Sequence, residues 1–177
     1  MADFGIQDFV VLDVETTGLE PSMGDEIIEI AAQKIRGREV VGEFVKMVKG
    51  TKRIPIESQK VHGISQADVD ANGLPEAEVL PQLVEFLGSS IIVAHNAAFD
   101  IGFVNSHLRR LNLPELTNRV IDTIEIAKRY CLLASYKLSN VAAFLKVPQP
   151  SAHRALVDVI TTREVFFKLI ERAKEKK

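Results

Sequence analysis

Tryptophan is missing from this chain, tyrosine occurs twice and cysteine once, at Cys131. A lone cysteine cannot close an intramolecular disulfide and leaves no cysteine-based zinc site; it fits a reducing compartment, or one indifferent to redox state. An excess of one charge is missing too: 22 Lys and Arg stand against 24 Asp and Glu, a formal net charge of −2. This excludes a strongly basic protein held to nucleic acid by bulk electrostatics, so any grip on a nucleic acid would be local. No apolar run approaches the roughly 18 residues of a membrane span, and the opening MADFGIQDFV carries acids where a secretory signal has a basic region. A cytoplasmic protein with no membrane partner is expected. Repeats, low-complexity tracts and long linkers are also lacking. The 177 residues, 46% of them hydrophobic, read as a single domain over 1–177, with no separate tail after the last helix.

What is present falls into two halves. FVVLDVE, DEIIEIAAQKI and EVVGEFVKMVKG are β-rich, separated by Gly and polar residues, and their short connections predict an antiparallel meander. Val79, Leu80, Leu83, Val84 and Leu87 then recur at helical spacing up to Gly88. SSIIVAHN and RVIDT read as two further strands, with a helix over AAFDIGFVNSHLRRLNL between them and three more helical stretches running to Lys177. Strands early and helices late predict an α/β fold: a mixed five-stranded sheet whose first three strands are antiparallel, with flanking helices.

Four acids stand in unusual places. Asp13 and Glu15 follow the apolar run Phe9 to Leu12, and in an extended chain residues two apart share a face. Asp100 lies near the start of the helix after SSIIVAHN, and Asp158 lies inside HRALVDVI among residues that otherwise bury. His153 precedes Asp158 by five residues, about 140° around a helix, which is not the four-apart spacing of a ligand pair. Each acid alone has an ordinary alternative, as a cap, a dipole partner or a solvated residue. Together, four acids with apolar neighbours require a cation or a shared proton to offset their repulsion. An all-oxygen ligand set favours Mg²⁺ or Mn²⁺ over zinc.

DVETTGL at 13–19, HNAAFD at 95–100 and HRALVD at 153–158, with VHGI at 61–64, resemble in order the motifs of DEDDh-type 3′→5′ exonucleases. The likeness extends to the epsilon-type proofreading exonucleases of bacterial DNA polymerase III. It implies a ribonuclease H-like fold, metal-site acids at Asp13, Glu15, Asp100 and Asp158, a general base at His153, and nucleotide contacts from Thr16, Glu57 and His62. It also implies two Mg²⁺ or Mn²⁺ ions per site and release of nucleoside 5′-monophosphates from single-stranded or frayed DNA 3′ ends. An exoribonuclease acting on RNA is the alternative within the superfamily, and a non-catalytic nucleic-acid-binding module the alternative outside it. A DNA polymerase is the partner the likeness suggests. His95 and His107 are expected to be structural.

Overall fold

A computed structural model describes residues 8–149 and 154–175. The three early segments form β1 (Phe9–Thr16), β2 (Ile27–Arg36) and β3 (Glu39–Lys49), each antiparallel to the one before. Two short helices, α1 (Ile56–His62) and α2 (Gln66–Asn72), lead to β4 (Leu74–Pro75) and α3 (Glu76–Leu87). Then come β5 (Ile91–Ala94), α4 (Ala97–Arg110), β6 (Val120–Asp122), α5 (Thr123–Tyr130), α6 (Leu138–Phe144) and α7 (Ala155–Glu175). The sheet runs β4-β3-β2-β1-β5-β6, with β5 parallel to β1 and β6 parallel to β5. The five expected strands are all present. The sixth, β4, has two residues and pairs with the end of β3, too short to leave a period in the sequence.

The alternation of β1 decides what meets what. Val10, Leu12 and Val14 pack with Val79 and Leu83 of α3 and Phe103 and Val104 of α4. Phe9 and Val11 pack instead with Val159 and Phe166 of α7, and the Phe9 and Phe166 rings meet edge-on at 5.3 Å. Both faces of the sheet are therefore covered, which is why β1 begins as a continuous apolar run rather than an alternating one. Asp13 and Glu15 continue the odd-numbered set and face α7. Ala31, fully buried, lies opposite Asp13 on β2, and the buried Ala155 begins α7. Small side chains at both places let the start of the helix come close to the sheet. A smaller core of Ile28, Ile54, Ile64 and Val69 seats α1 and α2 beside β2. Among the described residues no helix is long and apolar enough to cross a membrane.

Candidate active site

The site lies where β1 runs past the end of β5. Parallel pairing of β1 with β5 stops at Val11, so the Val14 amide has no strand partner on that side and donates instead to Asp100 Oδ1 at 3.1 Å. Asp100 sits in the first turn of α4, and it is buried. The start of α4 is itself pinned by Asp122, at the end of β6: its two carboxylate oxygens accept from the Asn96 and Ala97 amides, both at 3.1 Å, and from Ile124 N at 2.8 Å. Asn96 takes the left-handed conformation (φ 71°), which asparagine tolerates better than most residues. One acid thus closes the starts of two helices.

Asp13, Glu15 and Asp158 each offer a carboxylate oxygen, and these oxygens lie within 4.8 Å of one another. Asp100 stands outside this triad but beside it; its charge is the largest single electrostatic influence on Asp13. Burial, followed by the charges of Asp100, Glu15 and Asp158, pushes the Asp13 carboxyl well above its ordinary range. Burial and the charge of Asp158 push Glu15 up to about 8, opposed by Arg154. Asp100 is also raised, chiefly by burial, against the lowering effect of the Val14 amide. Without a counter-charge the cluster resists ionisation. An oxygen-only donor set under mutual repulsion fits hard divalent cations.

Between the end of β1 and α1 a groove is lined by Glu15, Thr16, Leu19, Glu57, Val61, His62 and Phe99, among others. Where Glu15 and Thr16 meet Glu29 and Ile27, β2 carries one extra residue, Ile28, against β1, and both Glu15 and Thr16 line the groove. Ser58 Oγ donates to Thr17 O at 2.8 Å and fixes α1 against the end of the strand. His62 is buried; its Nδ1 accepts from the Ile64 amide at 3.0 Å, so the neutral ring carries its proton on Nε2. Among the described residues nothing pairs with that buried Nε2, and burial lowers the ring's pKa. A buried donor facing no acceptor is costly unless a ligand supplies one. The residues singled out from the sequence thus fall into two adjoining groups, the acids and the groove. His153 lies outside the described residues.

Both remaining histidines are engaged within the fold. His95 Nε2 donates to Tyr136 O at 2.8 Å and its Nδ1 pairs with Thr123 Oγ1 at 2.8 Å. His107 Nε2 accepts from the Ile27 amide at 3.1 Å, which leaves Nδ1–H to donate to Glu76 at 2.7 Å. Two residues escape the sequence reading. Asp122 reads as part of an ordinary strand, and Glu29 as one letter of an apolar strand. The signal for Glu29 was there: an acid inside IIEIAA would be buried, and a buried charge needs a partner. Its partner is Arg154, 125 residues away in the chain.

A family profile described as Exonuclease, of the RNase T type, matches residues 10–166. The DNA polymerase III PolC-type protein of Caldanaerobacter subterraneus is 42% identical over 171 residues, covering 95% of this chain and 12% of that protein. The 3′-5′ exonuclease DinG of Bacillus subtilis is 34% identical over 170 residues, covering 96% of this chain and 18% of its own length. The chain thus spans a small part of these relatives. Among solved structures, Exonuclease X in complex with 5′ overhanging duplex DNA superposes with a TM-score of 0.73 at 27% identity, covering 94% of this chain and 93% of that one.

Proposed function

Since this chain belongs to the Exonuclease family, we propose that it hydrolyses single-stranded or frayed DNA from the 3′ end, releasing nucleoside 5′-monophosphates in a metal-dependent reaction. The observation that carries the reading is the meeting of Asp13, Glu15 and Asp158 oxygens within 4.8 Å at the end of β1. Their carboxylates would hold one divalent cation, with Asp13 and Asp100 contributing to a second; bound there, Mg²⁺ or Mn²⁺ supplies positive charge to the scissile phosphate and acidifies the attacking water.

The chain's own residues do the rest. Asp100 keeps one oxygen on the Val14 amide, which holds its carboxylate beside that of Asp13. His153, one residue before Arg154 in the chain, is the general base that takes the proton of the attacking water. Thr16, Glu57 and His62 hold the terminal nucleotide in the groove beside Glu15, and the Nε2–H of His62 gains there an acceptor that no described residue supplies. Leu19, Val61 and Phe99 give the groove apolar surface on which a base can rest. With few phosphate contacts beyond these and a net charge of −2, binding is weak and poorly processive. The likeness to PolC-type polymerases and to DinG supports a proofreading or repair setting in bacteria, and the DNA bound to Exonuclease X supports DNA over RNA.

The test is a 5′-labelled DNA single strand incubated with Mg²⁺ or Mn²⁺, beside an RNA of equal sequence and a circular DNA strand. The reading expects a shrinking ladder from the linear DNA, mononucleotide products, slower loss of RNA and an intact circle. Undiminished cleavage in excess chelator, or cleavage of the circle, contradicts it; equal rates on RNA reassign the substrate.

A further inference from the structure

Glu29 is the most deeply buried carboxylate on the α7 side of the sheet, at 1% exposure, and it lies directly opposite Glu15 in the β1–β2 register. Directly opposed residues in an antiparallel pair share a face with their Cβ atoms about 5 Å apart. Its Oε2 accepts from the Ala155 amide, the first residue of α7, at 3.0 Å, and its carboxylate receives Arg154 Nε at 3.1 and 3.2 Å and Arg154 Nη2 as well. Arg154 O in turn accepts from the Asp158 amide at 3.0 Å. Glu29 therefore joins the strand pair carrying Asp13 and Glu15 to the helix turn carrying Asp158. A helix start leaves amides unsatisfied, and here a carboxylate from a neighbouring strand, not a local cap, takes one of them.

We propose that Glu29, through its ion pair with Arg154 and its bond to the Ala155 amide, is a positioning residue that sets the first turn of α7 against β2 so that Asp158 meets Asp13 and Glu15. This rests on the metal-dependent reading of the site. An acid here worsens the repulsion in the cluster, since its charge pushes both Asp13 and Glu15 upward, so it does not serve to stabilise the metal-free site. What it does supply is register. Three acids on two elements hold a cation only if their oxygens converge to within about half an ångström of a working arrangement, and that requires the helix start to be fixed by something other than the ligands themselves.

Charge and position can be separated, because the two partners have opposite signs. If the pair acted on a bound cation only through its field, Glu29→Gln would weaken Mn²⁺ binding and Arg154→Met would strengthen it. If it acts by holding α7, both substitutions weaken binding. Mn²⁺ affinity is to be measured calorimetrically, without substrate, for the wild type, both variants and a control, Arg36→Met, which removes an exposed ion pair with Asp8 from the far end of β2. The proposal expects a loss of about tenfold in affinity in both variants, a fall in kcat of similar size with KM changed less than threefold, and wild-type values for the control. Arg154 is partly exposed, so its variant keeps the test open if Glu29→Gln does not fold. Opposite shifts in the two variants, or unchanged affinity and kcat in a folded Arg154→Met, overturn the positioning role and leave the metal site standing. Absence of Mn²⁺ binding in the wild type overturns the metal-dependent reading, and this inference with it.

Discussion

At the scale of single residues, the cluster conflicts with its own fold unless a counter-charge offsets it. Burial, and after it the charge of Asp158, pushes Glu15 in the folded protein up to about 8 from an ordinary 4.5. Between those values the folded state keeps a proton that the unfolded chain has released, so the stability of the metal-free protein falls as pH rises from about 4.5 to about 8. Thermal midpoints in chelator should therefore decline from pH 5 to pH 8, and saturating Mg²⁺ should raise the midpoint more at pH 8 than at pH 5. A flat profile in chelator would mean that the carboxyls are not forced together. Asp13→Asn keeps the shape and removes a charge that Asp100, Glu15 and Asp158 all oppose. It should raise the midpoint of the metal-free protein while cutting hydrolysis by at least about 10²-fold, read by calorimetry and by initial rates. His153→Ala should cost about 10²- to 10⁴-fold in turnover with Mn²⁺ affinity unchanged, the pattern of a lost general base rather than a lost ligand. A variant retaining the wild-type rate would remove His153 from the mechanism.

At the scale of elements, the helix starts carry the precision. Asp122 accepts three backbone amides across the starts of α4 and α5, and α4 carries Asp100. Asp122→Ala should destabilise the protein by about 1–3 kcal/mol in urea unfolding, and should lower turnover beyond what the folded fraction explains. An unchanged specific activity per folded molecule would confine Asp122 to stability. This device was not legible in the sequence, because a cap is recognised by its own helix and Asp122 also serves one 26 residues earlier. The same holds for Glu29, whose partners lie 125 and 126 residues away. By contrast β1, β2, β3, β5 and α3 were legible, since each writes a period or an apolar run into the chain. The helices α1 and α2 were not, having seven residues each and one buried side chain apiece, too few to show a period. Asp13 and Glu15 could be paired from strand alternation alone, whereas their meeting with Asp158 depends on α7 crossing that face, which only the fold supplies.

At the scale of the whole molecule, two covered faces and one sheet end form a rigid frame, and the acids gather where β1 outruns β5. Ligand sites at the carboxyl ends of strands in such sheets follow from the open crevice left there. Elsewhere on the frame some charged groups pair with one another: Arg110 joins Glu76 and Glu26, and Lys52 joins Asp25. The acid triad is the place where described carboxylates crowd together to offer a cation site. The most direct measurement of that claim is anomalous diffraction from crystals soaked in Mn²⁺. The account predicts a peak bonded by oxygens of Asp13, Glu15 and Asp158, lost in Asp13→Asn; manganese bound only elsewhere, or no peak at saturating Mn²⁺, would contradict it.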